Sequence, residues 1–308
     1  MRAIIFPGQG SQKVGMATEF EKNFQIVKEI FKQADDILKF KLSEIILRGS
    51  DDELKKTEIT QPAILTTSFA IFTVLKSEFN FNLSNVKFLA GHSLGEYSAL
   101  VASGSLSFKD AISLVHRRGK LMQEAVPLGQ GSMLAVMGIE NNELKELINN
   151  FDKKNGVCEI ANDNAKGQII ISGEKIALNK FNEVLKEKKK RSVFLPVSAP
   201  FHCSLMKSAA NEMDKLLQNI EFENAQIQLI SNVTALPLEK KEDIAKLLFE
   251  QIFSPVRWRE SIEYMIKKGI TDFIEIGPGK VLSGLVKRTN DKVKVDNING
   301  IDDIKNLK

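Results

Sequence analysis

Two periods of hydrophobic spacing alternate along this chain. Short continuous apolar runs, among them Ala3-Ile4-Ile5-Phe6 and Phe273-Ile274-Glu275-Ile276, predict strands buried on both faces. A third such run occupies 86–90. Over 61–79 the apolar residues Leu65, Phe69, Phe72, Leu75 and Phe79 recur every three or four positions, which predicts a helix. Pro62 falls near its start, where a missing N–H is tolerated. Ser107-Phe108-Lys109-Asp110 reads as a capping box that opens a helix running to about residue 125. From about 132 to 196 the pattern predicts strand 132–138, helix 142–151, strands 157–161 and 168–172, helix 175–189 and strand 192–196. That βαββαβ order is ferredoxin-like.

The chemistry begins where the 86–90 strand runs into Gly91-His92-Ser93-Leu94-Gly95 and then a helix-forming run. G-x-S-x-G between strand and helix holds a serine hydroxyl at a strained elbow. The expected architecture is therefore α/β, with an α/β-hydrolase-like core on a parallel sheet and a small ferredoxin-like domain inserted in it. The boundaries expected are 1–129 and 198–308 for the large catalytic domain and 130–197 for the small one.

A serine needs a base, and the chain has three histidines. His92 adjoins Ser93 and is expected to point away from it. His116, beside Arg117 and Lys120, is expected on the solvated side of its helix. His202, in Ser198-Ala199-Pro200-Phe201-His202-Cys203 after the last small-domain strand, remains. No acidic residue ends an obvious core strand between Ser93 and His202, so a Ser–His dyad is expected, its imidazole oriented by something other than aspartate, such as a backbone carbonyl. Arg118 sits in an apolar stripe with Leu114, Val115, Leu121 and Met122. Its burial implies an anion, either a protein carboxylate or a substrate carboxylate.

Other signatures fail. Pro7-Gly8-Gln9-Gly10-Ser11-Gln12 lacks dinucleotide-binding spacing, and Gly277-Pro278-Gly279-Lys280 lacks the Walker A spacing. Cys158 and Cys203 fit neither zinc nor disulfide patterns and suggest reduced thiols in a cytoplasmic protein. The longest apolar stretches read as strand-length, so no membrane span is expected, and the N-terminus reads as a strand rather than a signal peptide. Asn82-Leu83-Ser84 and Asn232-Val233-Thr234 match the glycosylation pattern, which means nothing without secretion. Hydrophobic content of 43%, charged content of 27% and net charge +4 suit a globular chain and argue against nucleic acid. One local basic excess, Lys186-Glu187-Lys188-Lys189-Lys190-Arg191, reads as a solvated helix end.

With Phe6-Pro7-Gly8-Gln9-Gly10-Ser11-Gln12, Gly91-His92-Ser93-Leu94-Gly95-Glu96, Arg118-Gly119-Lys120, Pro200-Phe201-His202, Gln251-Ile252-Phe253-Ser254-Pro255-Val256-Arg257-Trp258 and Glu275-Ile276-Gly277-Pro278-Gly279-Lys280 in order, the chain resembles the malonyl-CoA:acyl carrier protein transacylases over essentially its whole length. The resemblance implies that Ser93 carries the acyl group, that His202 is the base, and that Gln251 positions it through its carbonyl. It implies an oxyanion hole from the amides of Gln9 and Leu94, and a malonyl carboxylate on Arg118. Phe201 matches the malonyl-selecting form of its motif. Malonyl-CoA and an acidic acyl carrier protein are the implied partners, with Lys186, Lys188, Lys189, Lys190 and Arg191 as a candidate docking run. No metal and no cofactor are implied, coenzyme A being part of the substrate, and a cytoplasmic monomer is expected. A polyketide-type acyltransferase, a thioesterase using the same dyad and a non-catalytic docking module are the rival readings.

Overall fold

The computed structural model describes residues 1–197, 199–238, 240–305 and 307. Ser198, where the expected domain boundary falls, lies outside the described residues. The strands in chain order are β1 (Arg2–Phe6), β2 (Val86–Gly91), β3 (Gly131–Met137), β4 (Cys158–Ala165), β5 (Gln168–Glu174), β6 (Arg191–Phe194), β7 (Gln228–Ile230), β8 (Asp272–Ile276) and β9 (Lys294–Ile298). They form a parallel five-stranded sheet, order β7-β2-β1-β8-β9, and an antiparallel four-stranded sheet, order β4-β5-β3-β6.

The continuous apolar runs of β1, β2 and β8 follow from burial on both sheet faces. Successive residues point to opposite sides. Ile4, Phe6, Leu89, Ile274 and Ile276 join a core that includes Leu65, Ile71 and Leu75 of the helix Thr57–Ser77. Ala3, Ile5, Phe88, Ala90 and Phe273 join a second core with Trp258, Ile262 and Met265 of the helix Trp258–Lys267 and with Leu282 and Leu285 of the helix Val281–Thr289.

The helix expected over 61–79 runs from Thr57 to Ser77, so Pro62 lies inside it rather than at its start. A proline there leaves the carbonyl of Glu58, four residues back, without its helical donor. His116 supplies one through Nδ1, 2.9 Å away. His116 is thus half-buried between Glu58 and the ring of Phe40, not on a solvated face as the sequence suggests. The same helix is long and apolar enough to cross a membrane, which corrects the expectation that all apolar stretches are strand-length, but 83% of its apolar window is buried inside the protein. The second expected helix is Phe108–Glu124, and Ser107 caps it by accepting from the Asp110 amide at 3.0 Å.

The small sheet, with helices Asn141–Asn150 and Lys175–Glu187, has the ferredoxin-like strand order, within a residue or a few of the expected bounds. One face of it packs Leu134, Val136, Ile169 and Ile171 against Leu144, Phe181 and Leu185 of those helices. Met133, Ala135 and Ile170 of the other face turn toward the main core. Two register shifts bulge β4 where it meets the large domain. There the Val256 amide donates to Ala161 and the Val256 carbonyl accepts from Asp163, at 2.8 and 2.9 Å. Arg259 clamps the buried Asp163 carboxylate with two bonds of 2.8 and 3.0 Å. The small sheet is therefore stitched over the carboxyl ends of β1 and β2.

Candidate active site

Between β2 and the helix Gly95–Ala102 the chain reverses at Ser93, whose φ is +54°, left-handed and strained for a serine. The two glycines of the motif permit the turn by letting backbone approach backbone. A Cβ on Gly91 would lie 1.9 Å from the Gly95 carbonyl carbon, and one on Gly95 would lie 2.3 Å from Phe6 O. Asn232, buried just beyond β7, ties the turn down. Its Oδ1 accepts from the Ser93 amide and its Nδ2 donates to Gly91 O, each at 2.7 Å.

His202 also adopts a left-handed φ, +59°. Its Nε2 stands 2.7 Å from Ser93 Oγ, and its Nδ1 donates to the main-chain carbonyl of Gln251 at 2.9 Å. That second bond places the proton on Nδ1 and turns the Nε2 lone pair toward the hydroxyl. Burial first, and then the positive charge of Arg118, push the His202 pKa down to about 3. The imidazole is therefore neutral and free to accept a proton. Just beyond it Glu159, on β4, receives the Ser204 amide and hydroxyl at 2.7 and 2.6 Å and holds this loop to the small sheet.

Arg118 is 1% exposed. Its Nη1 donates to Gln61 Oε1 at 2.8 Å, and its Nη2 to Gln251 Oε1 at 2.9 Å and to Ser93 Oγ at 3.1 Å. The ion pairs among the described residues do not include it, so the protein-carboxylate alternative finds no support. Its Nε has no hydrogen-bond partner among the described residues. Burial works against its charge, with the Tyr97 and Glu96 groups nearby opposing that effect. A buried guanidinium with only neutral acceptors has capacity for an anion beside the nucleophile.

These groups open on a cavity of about 230 Å³, roofed from the small sheet by Met133, Asn162 and Ile170 and lined also by Gln9, Leu94 and Phe201. Neither the Gln9 nor the Leu94 amide donates to a protein acceptor among the described residues. His92 points away from Ser93 Oγ's partner, its Nε2 meeting Asn164 Oδ1 of β4 at 2.8 Å and its ring packing on Trp258. No group of three or more histidine, cysteine, aspartate or glutamate side chains among the described residues could hold a metal ion.

The basic run divides. The helix carrying it ends at Glu187, two residues earlier than expected. Lys190 is occupied by Glu143 at 2.8 Å and Lys186 by Glu183 at 2.8 Å. Lys188, Lys189 and Arg191 are exposed and have no ion pair among the described residues.

Four contributors escaped the sequence reading as individuals: Gln61, Glu96, Asn232 and Asn164. Glu96, within the elbow motif, is 2% exposed and accepts from Gln251 Nε2 at 2.6 Å and from the Asn232 amide. Burial raises its pKa to about 7 against those hydrogen bonds. For Gln61 the available signal was a polar residue in the largely apolar helix Thr57–Ser77.

A family model described as the acyl transferase domain matches residues 3–306. The malonyl CoA-acyl carrier protein transacylase of Bacillus subtilis is 46% identical over 293 residues, 95% of this chain and 91% of that one. The crystal structure of an acyl carrier protein S-malonyltransferase from Vibrio cholerae superposes with a TM-score of 0.96 at 40% identity, covering 100% of this chain and 99% of that one. A malonyl-transacylase solved in complex with its type II PKS acyl-carrier protein gives 0.94 at 38% identity, covering 99% and 97%. The chain belongs to the acyl transferase domain family, among the malonyl CoA-acyl carrier protein transacylases.

Proposed function

We propose that this enzyme moves a malonyl group from malonyl-CoA to the pantetheine thiol of acyl carrier protein, supplying fatty acid synthesis, with Ser93 as the relay. The observation that carries the reading is the Ser93–His202 pair beside a buried arginine that meets no carboxylate among the described residues. As His202 Nε2 takes the hydroxyl proton, Ser93 Oγ attacks the thioester carbonyl. The oxyanion is received by the Gln9 and Leu94 amides, Leu94 being the residue after the nucleophile. Collapse breaks the C–S bond, the proton passes from His202 to the sulfur of coenzyme A, and a malonyl-serine ester remains. The carrier thiol then gives its proton to His202, attacks the ester, and leaves with the malonyl group. One thioester replaces another, so the exchange is near thermoneutral and calls for no resident cofactor. The reading includes a monomer, and the free, buried Cys158 and Cys203 suit a cytoplasmic setting.

The test is intact-protein mass after brief mixing with malonyl-CoA. A malonyl adduct on Ser93 that persists in buffer and discharges on adding carrier protein is expected. An adduct lost equally fast without carrier protein would make the enzyme a thioesterase, and none at all would favour a non-catalytic module.

The docking surface proposed narrows to Lys188, Lys189 and Arg191. They stand at the start of β6, and the chain leaving that strand lines the cavity at Leu195 and Val197. Four steps of extended chain lead from Arg191 to Leu195, about 13 Å. Reversing charge at Lys188 and Lys189 should lower kcat/KM for the acidic carrier protein several-fold and flatten its salt dependence, while acylation by malonyl-CoA holds. Equal rates and equal salt dependence would return these lysines to a solvated role.

A further inference from the structure

We propose that Glu96 is a positioning residue for substrate selectivity: its carboxylate fixes the side-chain amide of Gln251 so that the amide oxygen faces Arg118. The inference rests on the reading of Arg118 as the substrate-carboxylate site and adds to it.

The Gln251 amide has one oxygen and two N–H groups, and the structure uses all three. Nε2 donates to Ser93 O at 3.0 Å and to Glu96 Oε2 at 2.6 Å, leaving Oε1 for Arg118 Nη2 at 2.9 Å. The opposite orientation would set N–H against guanidinium N–H, and oxygen against both the Glu96 carboxylate and the Ser93 carbonyl. Glu96 is the side-chain acceptor that, with Ser93 O, opposes that flip, and Asn232 anchors it in turn through its main-chain amide.

Glu96 has no ion pair among the described residues, although a guanidinium lies just beyond the Gln251 amide. This spacing separates two needs. A buried arginine gains from a negative charge nearby, and Glu96 and Arg118 do act on one another electrostatically. A carboxylate in direct contact would instead occupy the fork that the substrate has to reach. Interposing an amide keeps the charge of ionised Glu96 near while Arg118 is held by neutral oxygens, those of Gln61, Gln251 and Ser93. The incoming carboxylate then competes with weak neutral acceptors rather than with a bound anion.

The experiment compares acylation by malonyl-CoA and acetyl-CoA in the parent, Glu96→Gln, Arg118→Ala and the double variant. A glutamine at 96 removes the charge, and with its oxygen in the Oε2 place its own N–H₂ takes the Oε1 place and opposes the Asn232 amide 3.4 Å away, loosening the anchor. The malonyl-to-acetyl ratio of kcat/KM should fall about tenfold in Glu96→Gln, chiefly through KM for malonyl-CoA. Arg118→Ala should collapse the ratio, and adding Glu96→Gln to it should change the ratio no further, as expected of residues acting through one another. Gln251→Met keeps the main-chain carbonyl that His202 uses but removes the amide. It should reproduce the tenfold drop, which keeps the test decisive if Glu96→Gln does not fold. A Glu96→Gln enzyme that slows both substrates equally, or loses the same factor of ratio in the Arg118→Ala background, overturns the proposal and leaves Glu96 a structural acid. An unchanged ratio in Arg118→Ala itself overturns the carboxylate-site reading and the proposal with it.

Discussion

His202→Ala should slow acylation of Ser93 by about 10²–10⁴-fold, the usual contribution of a positioned base. Rapid-quench mass measurement of the malonyl adduct gives the rate. The loss falls on the chemical step, because the imidazole touches the nucleophile at 2.7 Å and is held from behind by a carbonyl rather than an acid. The pH dependence separates this base from an ordinary histidine. With its pKa pushed down to about 3, His202 stays unprotonated well below 6.5, so the parent enzyme should keep its acylation rate from neutrality down past pH 6. Because Glu96 itself titrates near 7, the deciding profile is that of Glu96→Gln, in which an acid limb centred near 6.5 would contradict a buried base. The sign for stability is the same. The unfolded chain takes up this proton near pH 6.5 and the folded one does not, so the contribution is full above 6.5 and is lost as pH falls toward 3. His202→Ala removes that dependence, and its acid unfolding midpoint should move to lower pH.

Arg118→Ala should lower kcat/KM for malonyl-CoA by roughly 30- to 5,000-fold, the equivalent of the ~2–5 kcal/mol set by truncating one partner of a buried, hydrogen-bonded charge pair. Acetyl-CoA should lose far less, since it has no carboxylate to strand. It gains in one respect: Arg118 is the second cause, after burial, of the low basicity of His202. Removing that charge eases proton transfer from Ser93. For malonyl-CoA the substrate itself neutralises the guanidinium, so the acid that is selected also makes its own base stronger. Steady-state kinetics with both thioesters decide the matter. Equal losses on the two would assign Arg118 to packing, with Gln61 and Gln251 as its reason for being there.

Much of this was legible along the chain because it resides in local spacing. The elbow, the ferredoxin-like strand order and the capping box at Ser107 each depend on neighbours within a few residues. His202 emerged by elimination, and Gln251 and Gln9 through resemblance. What stayed hidden needed distance. Glu96 reads as an ordinary helix-opening acid until Gln251, 155 residues away, closes on it. Asn232 sits in a glycosylation-like triplet and proves to be buried under the nucleophile. His116 looked solvated because Arg117 and Lys120 are its neighbours, whereas the carbonyl freed by Pro62 comes from another helix. The basic run read as one patch, but the fold sets Glu143 against Lys190. Arg118 read as a buried charge in an apolar stripe, and it is buried, but its amide escort could not be seen from the stripe it sits in.

The neighbours of β1 carry a consequence for how the chain comes to be folded. On one side β1 pairs with β2, on the other with β8, and Arg2 meets Asp272, 270 positions further along the chain. During synthesis one edge of the first strand therefore stays open until nearly the last strand has emerged, and apolar strand edges of this kind invite pairing with other molecules. The ferredoxin-like sheet has no such wait, since β3 to β6 are contiguous and complete long before. Vectorial folding would thus finish the cover of the active site first and its floor last. Ser93, two residues beyond β2, is tied down by Asn232 only once the segment after β7 has arrived, so the turn that holds it settles late in synthesis.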